Sequence, residues 1–351
     1  MLYLKNFIPS VVDKNVKKAF TLIELVVAIG IMAMVVVFAG TIFKVSIGSY
    51  RTAMAQAEIM QKFRAITEQL NSDFKGIRKD APMFIWFQKD PNDRRLDQIM
   101  FFAIGDFQSI RPYDHLGPNG KLIPATAGSP VVSNIARIQY GHAQVYSMSS
   151  FIYIFPENQQ YENNADHFLN FNHRILSRRQ HLLSADPDLI SWPTDFINTF
   201  DQLDIPYAPS LLKNDTYEHD TNSLSQWQAL ITQTANVEKT ITTCFGNRPK
   251  VNFTDANTLH LLMSEGVSNF TIQLFNNVDA NGALSWTPEN GVLSSSFGFY
   301  FNIPISGSVS VPNWSAATNW PRAIKFTFTL YDSRGVFKEG QTFTHIVYIG
   351  D

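Results

Sequence analysis

Cysteine is almost absent from this chain: Cys244 is the single thiol in 351 residues. No internal disulfide can form, so any exported part must be stable by packing alone. Charge of one sign is also missing. Twenty-eight Lys and Arg face 30 Asp and Glu, scattered along the chain for a net charge of −2. That balance excludes the basic footprint of a nucleic-acid partner outside the first 18 residues. Catalytic signatures are lacking too. None of the eight histidines falls in His-Glu-x-x-His, no Gly-x-Ser-x-Gly occurs, and no glycine-rich loop precedes Lys-Ser or Lys-Thr. His167, His173 and His181 follow spacings that share no helical face. What is plentiful is apolar surface, 45% hydrophobic and 13% aromatic residues, enough to build a sizeable core and to exclude disorder.

The longest apolar run is near the N terminus. Leu25 to Phe43 are 19 consecutive residues without a charge, close to the ~20 that span a bilayer's hydrocarbon as a helix. Lys5, Lys14, Lys17 and Lys18 precede it against the single Asp13, which predicts a cytoplasmic N terminus and an extracytoplasmic remainder. A cleaved secretory signal has a shorter apolar core ending in a small-residue cut site, and no such site precedes Lys44.

Glu24 is an acidic residue one turn inside this apolar helix, where an unpartnered carboxylate is costly and marks a function. The run Lys17-Lys18-Ala19-Phe20-Thr21-Leu22-Ile23-Glu24-Leu25 resembles the type IV prepilin signature: a basic pair, a small residue, then Phe-Thr-Leu-Ile-Glu opening the helix. Ala19 stands where that family usually has glycine. The resemblance implies that a prepilin peptidase/methyltransferase cuts between Ala19 and Phe20 and methylates the new amino group of Phe20. It further implies that Glu24 pairs with the ammonium of an adjacent subunit as helices pack into a filament, an ion pair that partly offsets burial.

Beyond Lys44, Tyr50, Met54, Ala57, Phe63, Ile66, Leu70, Phe74 and Ile77 recur mostly three or four apart, with charged residues between. This amphipathic stripe predicts that the membrane helix continues unbroken to about Phe74, ends near Gly76, and is stopped by Pro82. After Pro82 the period changes. Met83–Phe87, Gln98–Ile104, Ile135–Tyr140, Phe270–Phe275, Ala323–Leu330 and Phe343–Ile349 read as strands, the last three alternating apolar and polar residues as half-buried strands do. Asp332-Ser333-Arg334-Gly335 predicts a hairpin between the final two.

Two blocks narrow the resemblance. Leu261 to Phe270, containing Gly266-Val267, and Trp320 to Asp332, opening Pro321-Arg322-Ala323, are similar to blocks of the minor pseudopilin J family of type II secretion. Leu96 to Ser109 fits that family's early strand less specifically, and between about Gly141 and Leu259 the similarity lapses, as for an insertion. Within it a short helix is expected around Arg174 to Arg179. Calcium is known among pseudopilins. Asn277, Asp279 and Asn281 place oxygen side chains at alternate positions before Gly282, but Pro288 occupies the twelfth position and Glu289 falls one place late, so a turn between strands is the simpler reading.

The expected organisation is a cytoplasmic leader (1–19), a transmembrane helix (20–43), an amphipathic stem helix (44–80) and an extracytoplasmic, pilin-like globular domain (81–351) with an insertion over about 141–259. The fold class is α+β, with a mostly antiparallel sheet. The resemblance implies a non-catalytic, cofactor-free minor pseudopilin in the cytoplasmic (inner) membrane, with its body in the periplasm. Its partners would be the prepilin peptidase, other major and minor pseudopilins and secretion cargo. A minor pilin of a type IV pilus, for adhesion or DNA uptake, is the alternative, and a membrane-anchored surface enzyme a further one.

Overall fold

The computed structural model describes residues 20–89, 95–113, 115–116, 122–123, 130–145, 174–184, 218–220, 223–246, 248–251, 256–278, 284–289, 293–303, 309, 311–317 and 319–349. The fold begins with one helix, α1 (Leu22–Lys75), as the unbroken apolar and then amphipathic pattern predicts. The chain divides into two compact units at Met54 and Ala55, so α1 serves both. In the first unit its side chains are almost all exposed. In the second it presents Ala55, Ile59, Ile66, Leu70 and Phe74 to the core, three to seven residues apart on one face, with Phe63 partly buried beside them.

The body holds two main sheets among the described residues. The larger runs in spatial order β5 (Leu262–Glu265), β4 (Ile175–Leu183), β3 (Pro130–His142), β2 (Gln98–Pro112), β1 (Met83–Phe87), β8 (Phe297–Phe301) and β9 (Trp314–Ala317), with a short strand at His219–Asp220 beside β4. Its long pairs are antiparallel; β8 with β9, and β4 with the short strand, are parallel. The smaller sheet runs β7 (Leu284–Thr287), β6 (Val267–Val278), β10 (Ala323–Leu330) and β11 (Gln341–Tyr348), antiparallel throughout. β10 occupies the residues predicted for it, and the β10–β11 hairpin forms as expected. Asp332 closes its turn by accepting the backbone N–H groups of Arg334, Val336 and Phe337 at 3.2, 2.9 and 2.9 Å.

The C-terminal half of α1 packs against both sheets. Phe74 lies 4.3 Å from the Phe101 ring of β2 and 5.5 Å from the Phe326 ring of β10, while Phe63 stacks at 4.6 Å on Phe343 of β11. Each fully buried side chain of this type contributes roughly 1.5–3 kcal/mol. Gly76 allows the helix end to meet the sheet: Ile104 N–H donates to the Gly76 carbonyl at 2.7 Å, and a Cβ there would lie 1.9 Å from the Ile104 carbonyl oxygen. Gly266, with φ of +68°, makes the bend into β6, and the Tyr331 N–H donates to its carbonyl at 2.8 Å.

The larger sheet is covered on its second face as well. Phe84, Met100 and Phe102 pack there with Trp227 and Ile231 of and beside α2 (Leu224–Leu230), and with Val237, Ile241 and Phe245 of α3 (Thr234–Gly246). Both helices come from the 141–259 stretch. So does β4, which corrects one expectation: residues 175–179 are strand, not a short helix. Their polar composition misleads because each polar side chain has a partner inside. Arg178 reaches Asp73, Arg179 donates to Gln139 at 3.3 Å, and His181 Nδ1 lies 2.7 Å from an Arg137 nitrogen.

Two buried ionic groups fasten the layers. On α1, Asp73 is 2% exposed and receives Arg178 Nε at 2.6 Å, Arg178 Nη2 at 2.7 Å, Gln69 Nε2 at 3.0 Å and the Tyr140 hydroxyl. Burial and the Asp73 charge hold the Tyr140 phenol well above its ordinary range, so it stays a donor. Between the sheets, Asp97 accepts the Gln88 and Ile272 N–H groups at 3.0 and 2.7 Å and is paired with Arg95, which also donates to the Ile272 carbonyl at 3.0 Å. At the same junction, His142 Nε2 lies 3.0 Å from the Val267 carbonyl. Burial, reinforced by Arg248 and Arg174, pushes its pKa down to about 3.

Two predictions follow from these groups. Asp73→Ala leaves the Arg178 charge without its carboxylate, and urea unfolding followed by tryptophan fluorescence should show a loss of about 3–5 kcal/mol. The double change Asp73→Leu with Arg178→Met should cost clearly less. For His142, the unfolded chain takes up its proton near pH 6.5 and the folded chain only near pH 3. Its effect on stability is therefore nil above pH 6.5, and it costs about 1.4 kcal/mol per pH unit as pH falls toward 3. His142→Gln keeps a donor for Val267 and should flatten the wild-type pH slope by that amount; parallel slopes would refute the assignment.

Candidate functional site

The site singled out by the sequence lies at the start of α1. Thr21 is the last non-helical residue and α1 begins at Leu22. The Thr21 backbone N–H and hydroxyl both donate to Glu24 Oε2 at 2.9 Å, and the Glu24 N–H donates to Thr21 Oγ1 at 3.3 Å. This is a reciprocal capping box, in which side chain and backbone at the N-cap and third helical positions satisfy one another. The carboxylate also sits where the helix dipole favours negative charge. Glu24 thus has local partners within its own chain, and among the described residues both protein donors go to one of its two oxygens.

Thr21 is a residue of the site that the acidic position alone does not single out. The signal was nevertheless in the sequence, Thr-Leu-Ile-Glu being the threonine-x-x-glutamate pattern that announces a helix start before an apolar run.

Phe20 is described and 82% exposed. Lys17, Lys18 and Ala19 lie outside the described residues. From Leu22 to Met54 the helix offers its apolar side chains to the exterior, and the membrane-compatible window within it has no buried residue. Such a surface far exceeds what a soluble monomer leaves bare, so it requires lipid or other helices. Among the described residues this is the one helix long and apolar enough to cross a membrane.

Of the candidates read from the sequence, the structure brings together no second site among the described residues. Asp279 and Asn281 of the calcium pattern, and the Asn277 side chain, fall outside what the structure describes; Pro288 is buried and Glu289 exposed beside β7. Among the described residues no group of three or more His, Cys, Asp or Glu side chains converges to hold a metal ion. The Cys244 side chain is likewise outside the description.

Residues 14–40 match the family model for the prokaryotic N-terminal methylation motif. The match covers Lys14, Lys17, Lys18, the Ala19–Phe20 bond, Glu24 and most of the apolar run, and supports a type IV pilin-like protein with a single-pass membrane anchor. No curated protein and no solved structure matches the chain. The motif implies processing by a prepilin peptidase and assembly with other pilins in a membrane-associated filament, and it suggests a structural, not a catalytic, protein.

The capping geometry makes its own prediction. Thr21→Val keeps the side-chain shape but removes the hydroxyl, and should weaken the first turn of α1 by about 1 kcal/mol. In detergent micelles, hydrogen exchange at the Glu24 amide should accelerate about fivefold while amides beyond Gly30 stay unchanged.

Proposed function

We propose that this protein is a minor pseudopilin of a type II secretion system, cut between Ala19 and Phe20, methylated on Phe20, and built through its N-terminal helix into a short filament that assists protein export. The observation that carries the reading is the conjunction of the methylation motif over residues 14–40 with an uncovered apolar helix that opens on Glu24. The leader lysines hold the N terminus in the cytoplasm, so the mature body stands on the periplasmic side of the cytoplasmic membrane. Glu24 then exchanges its contacts with Thr21 for the ammonium of a neighbouring Phe20, an ion pair formed where little water competes.

The pseudopilin J assignment draws on the blocks Leu261–Phe270 and Trp320–Asp332. Their counterparts are the central strands β6 and β10, which pair with each other across Val267 and Leu330. A minor pilin of a surface pilus would use the same N-terminal helix and the same processing. The two are distinguished by deletion phenotype: loss of exported proteins supports secretion, and loss of surface pili supports the pilus.

The deciding measurement is intact mass and N-terminal sequencing of the protein from membranes with and without active prepilin peptidase. A chain starting at N-methylated Phe20 only when the peptidase is active is expected. A chain still starting at Met1 in its presence, or one cut beyond Phe43, would overturn the proposal.

A further inference from the structure

Lys325 is the only Lys, Arg, Asp or Glu in the four strands of the smaller sheet. The inner face of that sheet is committed to α1, where Phe326 meets Phe74 and both Phe328 and Phe343 meet Phe63. The alternate residues of β10 and β11 therefore stand on the outer face. Register sets them in rows across the strands. Trp286 of β7 pairs with Phe275 of β6, Phe275 continues the register to Ala323 of β10, and Ala323 pairs with Tyr348 of β11. The Trp286 and Phe275 rings lie 5.1 Å apart on one side of Ala323, and Tyr348 stands 78% exposed on the other. Two strand spacings, about 10 Å, separate Phe275 from Tyr348. Ala323 raises no side chain between them, so the row is a gap floored by a methyl group and walled by aromatic rings.

Lys325 belongs to the next row, and its Nζ reaches back to lie 4.5 Å from the Trp286 ring centroid. No carboxylate pairs with Lys325 among the described residues, and burial alone acts on its pKa, lowering it. An ammonium partly stripped of water and lacking a counter-ion favours an anionic ligand. On the far side of that row, Thr327 and Thr344 are paired across the strands and present hydroxyls.

This combination selects among ligand classes. A nucleic acid carries a charge at every phosphate and requires several cations, where these strands have one. A protein partner takes its affinity from large side chains desolvated in a packed centre, whereas this face alternates rings with threonine hydroxyls. A polysaccharide has apolar C–H faces that stack on aromatic rings and hydroxyls that exchange hydrogen bonds with threonine, and sparse carboxylates along it match a single lysine. We propose that the outer face of the smaller sheet binds an acidic polysaccharide, its sugar rings seated between Tyr348 and the Trp286–Phe275 pair and a uronate carboxylate held by Lys325. An extracytoplasmic body, the one element taken from the function proposed above, is where such a polymer is met.

The test is isothermal titration calorimetry of the full chain in detergent micelles with a short oligogalacturonate, and with the same oligomer methyl-esterified so that its carboxylates are neutral. Wild type should bind the acidic form in preference. Tyr348→Ala should bind it about tenfold more weakly, and Lys325→Gln should bind both forms alike while Lys325→Arg keeps the preference, each with the near-ultraviolet circular dichroism of wild type. Three outcomes overturn the assignment: no binding of the acidic oligomer by wild type, equal binding of the two forms by wild type, or binding undiminished in Tyr348→Ala. Crosslinking of Tyr348→Cys to another chain in membranes, in a Cys244→Ser background and without oligomer binding, would give the face to a protein neighbour and overturn it as well. None of these outcomes touches cleavage at Phe20, so the filament reading stands or falls separately.

Discussion

The Asp73 carboxylate joins the helix to the larger sheet, and the arrangement of the body follows from where it sits. It lies in the last turns of α1, 2% exposed, facing β3 through the Tyr140 hydroxyl and β4 through the Arg178 guanidinium. A carboxylate in such surroundings is tolerated only when its oxygens are filled, and the donors come from three separate elements. Apolar packing by Leu70 and Phe74 supplies more area but accepts many sliding registers; the bidentate guanidinium accepts few. The ion pair thus fixes the axial position of the helix against the sheet. Just beyond it, the Gly76 carbonyl receives the Ile104 N–H at 2.7 Å in a backbone approach that only a residue without a Cβ permits.

The two halves of α1 solve different solvation problems with one backbone. From Ala55 onward, one face meets apolar side chains of its own chain and the other meets water. Before that, nearly every side chain is exposed, so the helix needs a surrounding of another kind. The only acidic side chain of its first turn is Glu24, and the capping box is what makes that residue compatible with an apolar setting, because it accepts two donors from Thr21. The pairing is short-range and exposed, so a stronger cationic partner can replace it. A carboxylate satisfied by its own helix start lets the apolar segment carry an acidic residue without help from a second chain.

Much of this was legible in the sequence, and the failures have physical causes. The helix from the membrane into the body could be read because two periodic signals abut without a proline or a glycine pair. β1 and β10 could be read residue for residue because an apolar run or a strict alternation is bounded by proline or turn residues. β4 could not. Ile175-Leu176-Ser177-Arg178-Arg179-Gln180-His181-Leu182-Leu183 reads as a polar surface segment, yet it lies inside the sheet, its charges answered by Asp73 and Gln139, residues distant in sequence. No local pattern reports such a partner. The caps were a different omission: Thr21-x-x-Glu24 and Ser223-x-x-Gln226 are the same local rule, and both form, the second with N–H donations of 2.7 and 3.3 Å at the start of α2.

The two sheets differ in what they leave available. The larger is closed on both faces, by α1 on one side and by α2 and α3 on the other, so its strands carry apolar residues on both faces and its edges are short. The smaller meets α1 on one face only. Its position against the larger sheet is fixed by Arg95 and Asp97, which grip the Ile272 backbone from the loop between β1 and β2. With one face committed to α1 and its register pinned, this sheet turns its other face away from the helix among the described residues. On that face Thr327 and Thr344, and Thr329 and Thr342, exchange hydroxyl bonds at 3.2 and 2.9 Å, while Lys325 lies over the Trp286 ring at 4.5 Å. These contacts hold the side chains in fixed rotamers, so covering such a surface costs less side-chain entropy than ordering free ones would.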